Sequence, residues 1–149
     1  MDDVLVVIHI LFAAVWIGGS VFLAFAGPQF RKIGGPAALG WLKVVLEAVP
    51  KLLAPAALLT GLSGVTIVLV QDEWDWGDPF VGIGITVVVV VLVIGLGMNT
   101  PNLRKALAAL ESGDMPAAGA ALQRVATAGM VVILLLIFAE YVMVTRLGA

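Results

Sequence analysis

PFVGIGITVVVVVLVIGLGMNTPNL, residues 79–103, runs without a single charged side chain. It exceeds the ~20 residues that carry an α-helix across a hydrocarbon core. Comparable uncharged stretches occupy residues 4–27 and 52–71. A fourth, residues 125–147, contains Glu140 and reaches Arg146, yet its segment 130–139 is as apolar as the others. The expected fold is an all-α integral membrane protein. It is a single membrane domain over residues 1–149, a four-transmembrane-helix bundle with spans near 4–27, 52–71, 79–98 and 125–147.

Composition agrees with this reading. The 149 residues are 62% hydrophobic and 12% charged, with a mean hydropathy of +1.14, whereas soluble domains carry about 25% charged residues. The length outside the spans suffices for two longer loops, one short loop and the ends, so no soluble domain is expected. A net charge of −2 offers no basic surface and argues against nucleic acid as a partner. With no cysteine, disulfides, thiolate metal sites and iron–sulfur clusters are excluded. Any cofactor must be held by His, Met, carboxylate or packing. The first span follows Asp2 and Asp3 rather than a basic segment and is too long for a signal-peptide core, so it is expected to stay in the mature protein.

Charge bias sets an expected orientation. Arg31, Lys32, Lys43 and Lys51 lie between the first two spans, Arg104, Lys105 and Arg124 between the last two, and only Arg146 lies elsewhere. By the positive-inside rule both of those loops face the cytoplasm, and the acidic loop Asp72-Glu73-Trp74-Asp75-Trp76-Gly77-Asp78 is exoplasmic with both ends of the chain. The two tryptophans there read as interfacial anchors, although clustered carboxylates also suit a hard cation. Trp41, Leu42, Val45 and Leu46 against Lys43 and Glu47 predict a short interfacial helix over residues 37–49, after which Pro50 and Pro55 start or kink the second span. Residues 103–111 predict a second amphipathic helix, stopped by Ser112-Gly113 and restarted by Pro116. Small-residue patterns such as Ala57-x-x-x-Gly61-x-x-Gly64, Gly82-x-Gly84 and Ala126-x-x-Gly129 read as helix packing.

Ionisable groups inside an apolar span are costly and need a partner or a task. His9, the only histidine, and Glu140 are such groups. At 1.5 Å per residue His9 lies about 8 Å from the start of the first span and Glu140 about 10 Å from the end of the fourth, so the two share a depth. The same arithmetic puts Ser63, Thr66, Thr86 and Tyr141 in that polar membrane layer. Glu140 and Tyr141 point about 100° apart, so they need not both face inward. On the first span His9, Phe12, Ala13, Trp16 and Ser20 recur at helical spacing, which places Trp16 below His9. An imidazole there could ligate haem iron or copper, exchange a proton with Glu140, or simply share a structural hydrogen bond with it. One histidine cannot build a zinc site, and the five methionines form no cluster suited to Cu(I). Haem needs less, since one His can be its only axial ligand or pair with a Met or with a second copy's His.

The succession His9, Trp16, Ile17-Gly18-Gly19-Ser20-Val21-Phe22 and Gly27-Pro28 resembles the small membrane proteins related to copper-resistance protein D, including a four-span group known only as a domain of unknown function. More distantly it is similar to the opening helix of the HemJ-type protoporphyrinogen oxidases. The likeness is weaker through Pro50, Pro55, Leu59-Thr60-Gly61-Leu62 and the fourth span with Met143, so only the first 28 residues are specific. It implies a helical bundle with, on the HemJ side, haem b ligated by the residue that His9 matches, and on the copper side copper homeostasis or uptake. The additional histidines and clustered methionines expected for copper are missing, as is a clear counterpart of the HemJ enzymes' later basic residue. The leading expectation is a haem-binding or redox-linked membrane protein with His9 as axial ligand, Trp16 in the pocket wall and Glu140 tuning the site. Its rivals are a copper or other cation transport component and a non-catalytic accessory subunit. A homo-oligomer and a prokaryotic inner membrane complete the expectations.

Overall fold

Four long helices account for almost all of the chain in the computed structural model, which describes residues 2–71 and 74–146. Asp72 and Glu73 of the acidic loop, and Leu147 at the end of the fourth apolar run, lie outside the described residues. The first helix is α1 (Asp2–Ile33). The second runs from α2 (Gly35–Ala48) through a π-helical segment (Val49–Leu53) into α3 (Ala54–Val70). In the same way α4 (Pro79–Leu92) continues through a π-helical segment (Val93–Asn99) into α5 (Thr100–Ser112), and α6 (Met115–Thr145) closes the chain. Each of the four is long and apolar enough to cross a membrane, the build of a multi-pass membrane protein.

The amphipathic segments expected as separate short helices are therefore extensions of the spans. Pro50 lies inside the first π-helical segment. Proline has no N–H to give and its ring crowds the carbonyl four residues earlier, and the wider i→i+5 turn lets the helix pass rather than break. Pro101 follows the second π-helical segment, where the Thr100 hydroxyl donates to the Gly95 carbonyl at 3.0 Å. The same carbonyl accepts the Thr100 backbone N–H across the widened turn, so the hydroxyl adds a second bond there.

Very short joints hold the extensions together. Gly34 alone separates α1 from α2, with φ 73° and ψ −169°, a region essentially closed to residues with a Cβ. At the other joint Gly113 ends α5 in the left-handed conformation (φ 78°, ψ 9°), and the Asp114 carboxylate accepts from the Ala117 N–H at 3.0 Å to cap α6. This stop and restart fall where Ser112-Gly113 and Pro116 predicted them.

Around the bundle α1 packs on α3, α3 on α4, α4 on α6, and α6 back on α1. The central core joins Trp16, Ala56, Ala57, Val87, Val91, Val132 and Leu136. At the end bearing Gly34, the apolar face of α2 (Leu42, Val45) is covered by Leu103 and Ala106 of α5 and Ala121 of α6. That face thus packs on protein. Trp41 stacks on Phe30 at 4.6 Å between centroids. The opposite end, which carries the start of α1, Gln71, residues 74–78 and the end of α6, is closed by Val68, Phe80, Val81 and Val142.

Candidate functional site

His9 reaches from α1 across to α3. Its Nδ1 lies 2.9 Å from the Thr60 carbonyl oxygen and 3.1 Å from the Ser63 hydroxyl. A carbonyl can only accept, so Nδ1 carries the proton and donates it. In the neutral ring this contact sets the tautomer and leaves the lone pair on Nε2, to which no described residue donates. Ser63 spends its own proton on the Leu59 carbonyl at 2.6 Å and the Thr60 carbonyl at 3.0 Å, and so offers His9 only an acceptor.

Space for the ring comes from Gly64. A Cβ at that position would stand 3.1 Å from His9 Cε1 and 3.4 Å from Nδ1, closer than a side chain and a ring normally approach. The pattern read as helix packing in the sequence therefore has one member with a different task. Lower on the same interface Gly19 opposes Leu53 closely enough that a side chain there would collide with it. These two glycines bring α1 down onto α3.

His9 forms part of the wall of a largely apolar cleft of about 460 Å³, lined from all four long helices by residues that include Ala13, Trp16, Thr60, Gly84, Glu140 and Met143. This volume is within the range of small-molecule sites. Trp16 is 6% exposed and also lines a second chamber of about 340 Å³ towards the Gly34 end, together with Arg31, Trp41 and Asn99. The indole thus stands between two cavities.

The polar layer drawn from depth is only partly gathered. Ser63 bonds His9, and Glu140 lines the same cleft. Thr66 and Thr86 turn their hydroxyls back to the Leu62 and Gly82 carbonyls at 2.8 Å, a habit of threonine in helices, and neither lines the cleft. Tyr141 is 58% exposed on the outer surface of α6. No hydrogen bond joins His9 to Glu140; the partner of His9 is Thr60.

Three lining residues escaped sequence reasoning. Thr60 acts through its backbone, for which no side-chain signal exists. Met143, whose methyl group fills the space beside Gly84, looked like one of several scattered methionines. Trp74 was grouped with Trp76 as an anchor, but only Trp76 is exposed, at 53%. The Trp74 ring turns inward to meet Phe80 edge-on at 5.9 Å and lines the cleft, with the central carbon of the Arg146 guanidinium over it, 6.0 Å from its centroid. Among the described residues no group of three or more His, Asp and Glu side chains could hold a metal ion. No family model, curated protein or solved structure matches this chain.

Proposed function

We propose that the protein is a haem-binding, redox-linked membrane protein in which His9 is the axial ligand. One observation carries the reading: Nδ1–H is fixed on a backbone carbonyl while Nε2 keeps its lone pair at the wall of an apolar cleft. Histidines that ligate metals characteristically donate their other ring N–H to a carbonyl or carboxylate, which sets the tautomer and strengthens the ligand. Haem is favoured over copper because its iron needs one protein ligand in addition to the porphyrin, whereas a copper ion needs several from the chain, and no such set is gathered among the described residues.

The residues present fit the group. Trp16 and Ala13 give flat or small walls, His9 supplies an imidazole, and Glu140 and Met143, whose methyl group fills the space beside Gly84, stand on the α6 side. A bound haem would supply one-electron chemistry, its potential set by the axial ligand, hydrogen bonding and burial. The chain's own part is to hold the imidazole through Thr60, to keep water out with its apolar walls, and to keep Glu140 as a charge or proton acceptor at the same level. In this reading the bundle spans a prokaryotic inner membrane with both ends of the chain outside, following the seven-to-one bias of basic residues.

The absorption spectrum of the purified chain tests the proposal. Protein from haem-replete cells, or protein titrated with haemin, should show a Soret band that His9→Ala abolishes or shifts while the helix content stays unchanged. Colourless protein that takes up no haemin stoichiometrically, or a His9→Ala spectrum identical to that of the parent, refutes it.

A further inference from the structure

The second chamber differs in kind from the His9 cleft. Trp16 and Arg31 both lie on its wall, fifteen positions apart on α1, which is about 22 Å at 1.5 Å per residue. For a volume of about 340 Å³ the space is therefore long and narrow, and its lining is mostly apolar. Arg31 is the one charged side chain on that wall, and no acid lines it among the described residues.

Two donors stand at the Arg31 end. Trp41, stacked on Phe30 at 4.6 Å and met edge-on by Phe22 at 6.0 Å, turns its Nε1 towards Gly27, where a Cβ would stand 3.6 Å from it. Gly27 itself lines the chamber, and its bare backbone leaves the indole N–H uncovered. That Nε1 has no acceptor among the described residues and, unlike that of Trp74, is not sealed from solvent. Arg31 follows Gly27 by one turn on the same face of α1, and helical side chains lean towards the N-terminal end, so its guanidinium is carried back towards the indole. The guanidinium is equally unspent. Of the three acids at this end, Glu47 pairs with Lys51 at 2.9 Å, Glu111 pairs with Lys43 at 3.3 Å, and Asp114 caps α6. Among the other polar groups of the wall, Ser20 donates to the Trp16 carbonyl at 2.8 Å and Asn99 Oδ1 is sealed from solvent.

We infer that this chamber binds a long-chain fatty acid, with the tail along the apolar wall towards Trp16 and the carboxylate on the Arg31 guanidinium and the Trp41 Nε1–H. A guanidinium beside a second N–H suits the paired oxygens of a carboxylate, and with no acid on the wall nothing there repels the anion. The narrow space takes one chain, whereas a two-chain lipid would leave its second chain outside. A long basic side chain that lays its stem on apolar surface and holds its charge at the mouth is the ordinary way to place such a group beside a membrane. The site is separate from the haem reading, since His9 lines the other cavity.

Labelled hexadecanoate and hexadecanol, added to the full chain in phosphatidylcholine nanodiscs and corrected for empty discs, separate the head from the tail. The acid should saturate at one equivalent and bind about fivefold or more tighter than the alcohol, the scale of an exposed ion pair joined by one hydrogen bond. Arg31→Gln removes the charge, and Trp41→Phe removes the N–H while keeping a ring against Phe30. Each should erase most of the preference and leave the alcohol unchanged. Lys32→Gln, which alters a neighbouring cation off the chamber wall, should keep it. Gly129→Leu adds bulk to the wall at a place where a Cβ meets nothing within 4 Å, and should weaken acid and alcohol together. Equal binding of acid and alcohol, a preference that survives in either donor variant or is lost in Lys32→Gln, or unchanged binding in Gly129→Leu overturns the inference. So does displacement of the acid by phosphatidylglycerol added to the discs, which would make the occupant a phospholipid.

Discussion

Replacing Gly64 by Ala sets two effects of similar size against each other. In an ordinary helix the change stabilises by up to about 1 kcal/mol, because alanine loses less freedom on folding. Here the new Cβ meets His9 Cε1 at 3.1 Å, so the ring must retreat by a few tenths of an ångström. That lengthens the 2.9 Å bond to Thr60 towards the limit of a normal hydrogen bond. Such a bond contributes about 0.5–1.5 kcal/mol net. The two effects nearly cancel, and Gly64→Ala should leave stability within about 0.5 kcal/mol of the parent. Gly18→Ala is the control, since a Cβ there has nothing within 4 Å and should show the helix gain alone. Unfolding in detergent measures the difference between the two variants. Ring-labelled histidine measures its cause, because the chain has one imidazole and gives one pair of nitrogen signals. The parent should show a protonated Nδ1 and an unprotonated Nε2, and Gly64→Ala a weakened Nδ1–H bond. If both variants gain equally and the ring signals do not move, the close fit of His9 on Gly64 is refuted.

Further outcomes follow from other contacts. Ser63→Ala should leave the His9 tautomer unchanged, since the Thr60 carbonyl still accepts, and the same nitrogen spectrum would reveal a switch. Asp114→Ala removes the cap of α6 and should cost about 1 kcal/mol, read as a lowered midpoint in denaturant. The Lys43–Glu111 pair at 3.3 Å is half exposed, so a double-mutant cycle should give a coupling below about 1 kcal/mol that fades in high salt. A reporter enzyme active only in the cytoplasm, fused after Ala149, should be silent, and activity there would reverse the orientation.

The spans were legible in the sequence because their signal is a sum over some twenty residues. Gly113 and Asp114 were legible for the opposite reason, since their chemistry is local and suits one kind of joint. The continuity of α2 with α3 was not. Pro50 is a helix breaker by local rules, and the chain stays helical through it by widening the turn where α1 packs against it. Depth arithmetic brought His9, Ser63 and Glu140 to one level but carries no angle, so it could not separate them from Thr86 or Tyr141, which share the level and face away. Trp74 and Trp76 are two residues apart in an irregular segment, where no periodicity tells an inward ring from an outward one.

The reading of the site turns on which partner His9 has. A hydrogen bond to Glu140 would have tied two costly groups to each other and left a structural role as the simplest account. The bond runs instead to a backbone carbonyl on α3, made reachable by Gly64, and Glu140 keeps its carboxylate apart on the far wall. Thr60 O is already the acceptor of a helical bond and needs nothing from His9, so the contact serves the imidazole: it fixes one nitrogen as donor and leaves the other as a base. In apolar surroundings a free lone pair on a ring nitrogen carries a desolvation cost of its own.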